Sequence, residues 1–194
     1  MTIETFTTDY MDALKADIDA IPMADVKAIV ETINEAWAGD KHIFVIGNGG
    51  SAATAAHFVC DMAKGTLGHK GDADKRRFKC FAPADNVSLM TAWANDTSYD
   101  SIFSEQIANF VGEGDVVIAI SASGNSPNVL NAVELANDRG ARTIGLCGFG
   151  GGRLQEIADQ YLTVDSDHYG RVEDVHMILA HVIAYYFQQV ESPE

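Results

Sequence analysis

The sequence predicts an α/β protein: a single doubly wound domain with a five-stranded parallel sheet flanked by helices, entered through an N-terminal helical hairpin. Three observations carry this expectation. A strand–loop–helix unit occurs twice, near residues 42–51 and again at 115–127. Short apolar runs alternate with helical stretches along the rest of the chain. The first forty residues place apolar side chains at helical rather than strand spacing.

Taken in order, Tyr10, Leu14 and Ile18, then Val26, Ile29, Val30, Ile33 and Trp37, mark two amphipathic helices separated near Pro22. This hairpin, residues 1–38, is expected to pack on the core or on a partner subunit. His42-Ile43-Phe44-Val45-Ile46 reads as a strand bounded by Gly39-Asp40 and Gly47, with a helix from about Ser51. Residues 65–77 are polar and aperiodic, which predicts a mobile surface loop whose triplet Lys75-Arg76-Arg77 is a solvated run. Strands are expected at 78–82, 115–120, 143–147 and 161–164, each apolar on both faces as parallel strands under helices are. A helix over 127–139 ends at Gly140, and a last helix spans 172–189. No linker or second repeat divides the chain, so residues 1–194 are read as one domain.

Composition narrows the partners. The chain has 194 residues, of which 47% are hydrophobic and 21% charged, the balance of a globular domain. Thirteen basic against twenty-eight acidic residues give a net charge of -15, which repels a nucleic-acid backbone. The apolar run 177–187 is interrupted by His181 and is short of the roughly 18 residues of a membrane span. The acidic first twenty residues lack the apolar core of a secretory signal, so a cytoplasmic location is expected. Cys60, Cys80 and Cys147 show no CxxC spacing and sit in apolar stretches, which predicts three small core residues rather than disulfides or thiolate metal sites.

Two loops are suited to an anion. Gly47-Asn48-Gly49-Gly50-Ser51 follows the first strand and opens a helix, where backbone N–H groups gather. Gly47-x-Gly49-x-x-Ala52 also matches a dinucleotide fingerprint, but the acidic residue that fingerprint needs about 20 positions on is misplaced: Asp72 and Asp74 fall in the expected loop and Asp85 comes much later. The second loop, Ser121-Ala122-Ser123-Gly124-Asn125-Ser126, follows another strand and precedes Pro127 at a helix start. Hydroxyls, N–H groups and a helix dipole together suit a phosphate monoester without a basic side chain. One such loop is equally a polar turn with a serine cap. Two, each leaving a parallel strand, favour a phosphorylated small molecule.

Titratable groups gather on two helices. His57 and Asp61 are four residues apart on one face, and Glu173, Asp174, His176 and His181 lie in the last helix. Singly these are core histidines and dipole-favouring acids; together, beside a phosphate loop, they suit metal ligation and proton transfer.

The motifs GNGGSAATAAHF, AWANDTS, ISASGNSPNV and RVEDVHMILAH resemble the phosphoheptose isomerases of the sugar isomerase (SIS) domain family, and the similarity spans residues 10–187. The resemblance implies a SIS-type fold and an aldose–ketose isomerase that interconverts sedoheptulose 7-phosphate and D-glycero-D-manno-heptose 7-phosphate through an enediolate. It places Asn48, Gly49, Gly50 and Ser51 in the substrate loop with Asn95 and Asp96, and gives the phosphate to Ser121, Ala122, Ser123 and Ser126. His57, Asp61, Glu173 and His181 match the ligands of a divalent metal, Zn2+, one per subunit. Asp61 is then the base and His181 its acid partner, with Glu173 an alternative base; Asp61 and Glu173 also face the substrate. Three positions depart from the family: Asp61 replaces a glutamate, Glu173 a glutamine, and Gly170 a common aspartate. The resemblance further implies a homotetramer with sites at subunit interfaces. The alternative is a non-catalytic SIS adaptor that senses a phosphosugar or binds the replication initiator; such relatives lose the metal and acid–base side chains, whereas all four positions are titratable here.

Geometry adds one constraint. Glu173 and His181 are eight residues apart, about 12 Å along a helix and roughly 80° around it. Either the helix begins after Glu173, or one ion draws these two ligands from different copies of the chain.

Overall fold

A computed structural model describes residues 1–68, 71, 72 and 74–191; the middle of the loop expected at 65–77 and the end of the domain expected over 1–194 lie outside the described residues. Two helices open the chain, α1 (Ile3–Asp19) and α2 (Met23–Ala38), parted at Pro22. The strands are β1 (His42–Gly47), β2 (Lys79–Phe81), β3 (Val116–Ser121), β4 (Arg142–Cys147) and β5 (Gln160–Thr163). Between and after them come α3 (Gly50–Ala63), α4 (Val87–Asp96), α5 (Ser104–Ile107), α6 (Pro127–Asp138), α7 (Gly152–Ile157) and α8 (Tyr169–Gln189).

The sheet order is β2-β1-β3-β4-β5 and every pairing is parallel. Period-2 alternation divides the strand side chains between two cores. Ile43, Val45, Ile118 and Ile120 meet α2, α3 and α8 on one face, while Phe44, Ile46, Val117 and Ala119 meet α5, α6 and α7 on the other. The expectation that every strand is apolar on both faces holds for β1, β3 and β4. It fails for β2 and β5, which form the two edges: Phe81 and Tyr161 are exposed.

The chain leaves β1 outward to β2 and returns past it to β3, so the direction of winding switches between β1 and β3. The crevice beyond their carboxyl ends is the place such sheets bind ligands. Gly47 pairs with Ile120, so the two strand ends are level and both anion loops open there.

The loop after α3 corrects the sequence reading. Gly65–Leu67 forms a 3-10 turn with Thr66 and Leu67 buried. Lys75 Nζ donates to the carbonyls of Phe187 and Gln188, and Arg76 to those of Trp37 and Ala38. These are the last turns of α8 and α2, whose unpaired carbonyls and negative dipole ends attract cations. At least two members of the basic triplet are therefore helix caps. A solvated run and a set of caps have the same composition, which is why the sequence does not separate them. Cys60 is a second correction: it is exposed, in a groove between α3 and α8, whereas Cys147 is buried and its thiol pKa is pushed up to about 12 by that burial.

Candidate functional site

Helices α3 and α8 both start at the carboxyl edge of the sheet and run side by side in the same direction. At the head of the pair the Glu173 carboxylate lies over Gly50: a Cβ on Gly50 would stand 2.7 Å from Oε1 and 2.9 Å from Oε2. A larger residue there would push the carboxylate aside, and a carboxylate at a helix N-terminus sits in a favourable field. Two turns further on, His57 Nε2 is 2.9 Å from His181 Nε2 and 3.3 Å from Asp61 Oδ2, with His181 Nε2 3.7 Å from the same oxygen. At the end of α3, Gln188 donates to the Gly65 carbonyl.

The three ligand atoms of His57, Asp61 and His181 lie within 4.8 Å of one another, so this chain alone assembles a two-imidazole, one-carboxylate set. Their side chains are 48%, 25% and 43% exposed, which leaves the cluster open to solvent. A His2Asp set of this size fits a divalent cation of the zinc type, with a fourth position free. Glu173 does not join it. Helix α8 begins at Tyr169, before Glu173, so the alternative that this residue bends in from a loop is ruled out.

The last helix disperses the other titratable groups. Asp174 turns to α1 and accepts from Tyr10 Oη at 2.6 Å, which pushes the Tyr10 phenol up to about 12. His176 is fully buried; its Nε2 is 3.1 Å from the Cys147 carbonyl, Nδ1 has no partner, and burial drives its pKa down to about 4. It is a neutral structural residue.

At the crevice, Ser51 and Ser121 are buried and Ser126 is the N-cap of α6 without a side-chain capping hydrogen bond, so its hydroxyl is not spent on the helix. Ser121 Oγ lies 3.4 Å from Ser126 Oγ, and Ser123 Oγ accepts from the Asn125 amide. Gly124 has φ of +64° and its Cα faces Gly151 so closely that a Cβ would stand 1.9 Å from the Gly151 carbonyl oxygen. A second glycine turn, residues 148–152, thereby braces the serine loop: Gly148 N donates to Ala122 O, Leu154 N to Gly124 O and Arg153 N to Asn125 Oδ1. Sequence reasoning missed this brace, although the GFGGG run signalled it. Asn95 donates to Asp96 and both are exposed at the end of α4.

The SIS domain profile matches residues 8–148. This chain belongs to the SIS domain family. Within that family it aligns with the phosphoheptose isomerases. It is 36% identical over 175 residues to the phosphoheptose isomerase of Citrifermentans bemidjiense, covering 90% of this chain and 86% of that protein. Identity to the Geobacter sulfurreducens enzyme is 38% over 158 residues, 81% of each chain. The structure of phosphoheptose isomerase GmhA from Neisseria gonorrhoeae superposes with a TM-score of 0.87 at 29% identity, covering 97% of this SIS domain and all of that chain.

Proposed function

We propose that this SIS domain isomerises sedoheptulose 7-phosphate to D-glycero-D-manno-heptose 7-phosphate, with Asp61 as base and His181 as its acid partner. The observation that carries the reading is the acid–base cluster of His57, Asp61 and His181 on the same helix pair whose head opens on the two anion loops. A phosphosugar-sensing or initiator-binding adaptor has no use for such a cluster.

The reaction moves one hydrogen between adjacent carbons. Asp61 takes a proton from C1 of the ketose, His181 donates a proton to the carbonyl oxygen at C2, and the enediolate forms between them. Asp61 then returns its proton to C2 while the C1 hydroxyl gives its own to His181, leaving the aldose and both side chains as they began. Ser121, Ser123 and Ser126, with the N–H groups at the heads of α3 and α6, hold the phosphate, and Ala122 contributes backbone to the same loop. Asn48, Gly49, Gly50 and Ser51 line the opposite wall, with Asn95 and Asp96 at the rim. A zinc-type ion held by His57, Asp61 and His181 would polarise the substrate oxygens.

The chain also associates with itself, in our reading as a homotetramer in the cytoplasm. No described helix is long and apolar enough to cross a membrane. Helix α1 packs on its own chain only through partly buried residues such as Leu14 and Ile18, and Phe6, Met11, Val182, Tyr185 and Tyr186 are exposed. A groove of about 660 Å3 between Phe6, Tyr10, Met11, Met177 and His181 lies between α1 and α8. Exposed apolar surface of this kind is what subunit contacts cover. Glu173, two turns from its own chain's cluster, is then the ligand offered to a neighbour's, and each site combines the phosphate loops and Glu173 of one chain with the cluster of another.

The test is turnover of sedoheptulose 7-phosphate by the purified chain, followed by NMR in heavy water, with and without chelator. The enediolate predicts deuterium at the carbon beside the carbonyl. Asp61→Asn is expected to lower turnover about 10²-fold or more with the fold intact; wild-type turnover by that variant would move the base elsewhere.

A further inference from the structure

The crevice holds a side-chain clamp centred on Asn48. Asn48, between Gly47 at the end of β1 and Gly49 at the start of α3, and Asn128, the second residue of α6, exchange two hydrogen bonds of 2.8 Å through their amides. Tyr99 Oη adds a third, donating to Asn48 Oδ1 at 3.0 Å. Asn128 is only 1% exposed. One turn further along α6, Asn131 donates to the Asp100 carbonyl and so holds the turn Tyr99–Ser101 against the same helix.

The stoichiometry of these bonds fixes the amide. Asn48 Oδ1 accepts from both Asn128 and Tyr99, which uses both of its lone pairs. Asn48 Nδ2 gives one hydrogen to Asn128 and keeps the other. The clamp joins the loop after β1 to the helix that follows the serine loop, so it also sets the separation of the two anion loops. Neither loop has a basic side chain of its own, so phosphate binding depends on how accurately neutral donors are placed.

We propose that Asn128 and Tyr99 are positioning residues that hold Asn48 as a fixed donor to the phosphosugar and keep the two loops at binding distance. The proposal rests on the phosphosugar isomerase reading. It assigns Asn128 and Tyr99 to substrate affinity and leaves the proton transfers at Asp61 and His181 untouched.

The experiment measures KM and kcat for sedoheptulose 7-phosphate in Tyr99→Phe, Asn128→Ala, Asn48→Ala and the double variant Tyr99→Phe/Asn48→Ala. Loss of one neutral hydrogen bond predicts a roughly threefold to tenfold rise in KM for Tyr99→Phe. Asn128→Ala, which removes both amide bonds, is expected to raise KM by more, and kcat falls less than KM rises in each. Tyr99→Phe is expected to add nothing in the Asn48→Ala background, a result that general loosening of the fold does not produce. If buried Asn128→Ala fails to fold, the exposed Tyr99→Phe and the double variant decide. Unchanged KM in Tyr99→Phe, or an equal added rise in the Asn48→Ala background, would overturn the positioning role. Absence of wild-type turnover would instead overturn the functional reading, and the proposal with it.

Discussion

Asp61→Asn and Glu173→Ala provide a direct test of how the site is divided between chains. His57, Asp61 and His181 are brought together by one chain, so substitutions at Asp61 and His181 damage the same half. Glu173 lies at the head of α3, eight residues or about 12 Å along the helix from His181, and damages the other half. Each variant alone is expected to lose about 10²-fold in turnover. When Asp61→Asn and Glu173→Ala chains are co-expressed in equal amounts and each site takes one half from each of two chains, half of the clusters and half of the phosphate sides are intact. About one quarter of the sites are then whole, giving about one quarter of wild-type turnover from two chains that are each near 1%.

The assay is turnover of tandem-tagged mixed oligomers, with Asp61→Asn plus His181→Ala as the pair that cannot complement. Restoration in the Asp61/His181 pair, or none in the Asp61/Glu173 pair, would refute the division. A fully active monomer by light scattering would refute the shared site altogether.

Three further outcomes follow from the geometry. Ser123→Ala is expected to weaken phosphosugar binding by about 1–3 kcal/mol by calorimetry, because a charge-assisted hydroxyl donor is lost; unchanged affinity would remove the serine loop from the site. Gly124→Ala puts a methyl 1.9 Å from the Gly151 carbonyl at a φ of +64°, so denaturant unfolding is expected to show a loss of about 3 kcal/mol or more. His176 is depressed to about 4 from about 6.5 in the unfolded chain, so the unfolded state binds the extra proton, and the stability from keeping the ring neutral is complete above pH 6.5 and lost as pH falls toward 4. Between pH 7 and 4.5 the wild type is expected to lose about 2.5 kcal/mol more than His176→Gln in urea titrations, and parallel losses would show that this ring carries no titration penalty.

The sheet, its order of elements and both anion loops were legible because each rests on local pattern: β-branched runs of five or six residues, glycines at strand ends, a proline at the start of α6. The edges were less legible. Lys79-Cys80-Phe81 and Gln160–Thr163 are short, and nothing local says which strands lack a neighbour. Asn128 and Tyr99 were invisible as partners of Asn48 because their pairing spans 80 and 51 residues and depends on the switch between β1 and β3. His176 and Asp174 were grouped with Glu173 and His181 by sequence proximity alone. Around a helix, neighbours in sequence point some 100° apart, so four titratable residues within nine positions faced a sheet end, another helix, a helix head and a histidine.

The spacing of the two half-sites follows from how α3 and α8 run. Both enter from the carboxyl edge of one parallel sheet, so they travel in the same direction and their contacts stay in register: the sequence offset is 124 at His57–His181 and 123 at Gly65–Gln188, and Glu173 over Gly50 keeps it. Two full helical turns return a side chain to nearly the same face, which is why residues seven or eight apart on each helix meet the partner helix again about 11–12 Å further on. The same regularity that aligns Glu173 with the phosphate loop and His181 with Asp61 forbids both from reaching one small ion within a chain. A straight helix pair can hold a phosphate at its head and an acid–base cluster along its side. In the proposed assembly a second copy closes the two around a single sugar, and the exposed apolar surface around His181 is where that copy is expected to sit.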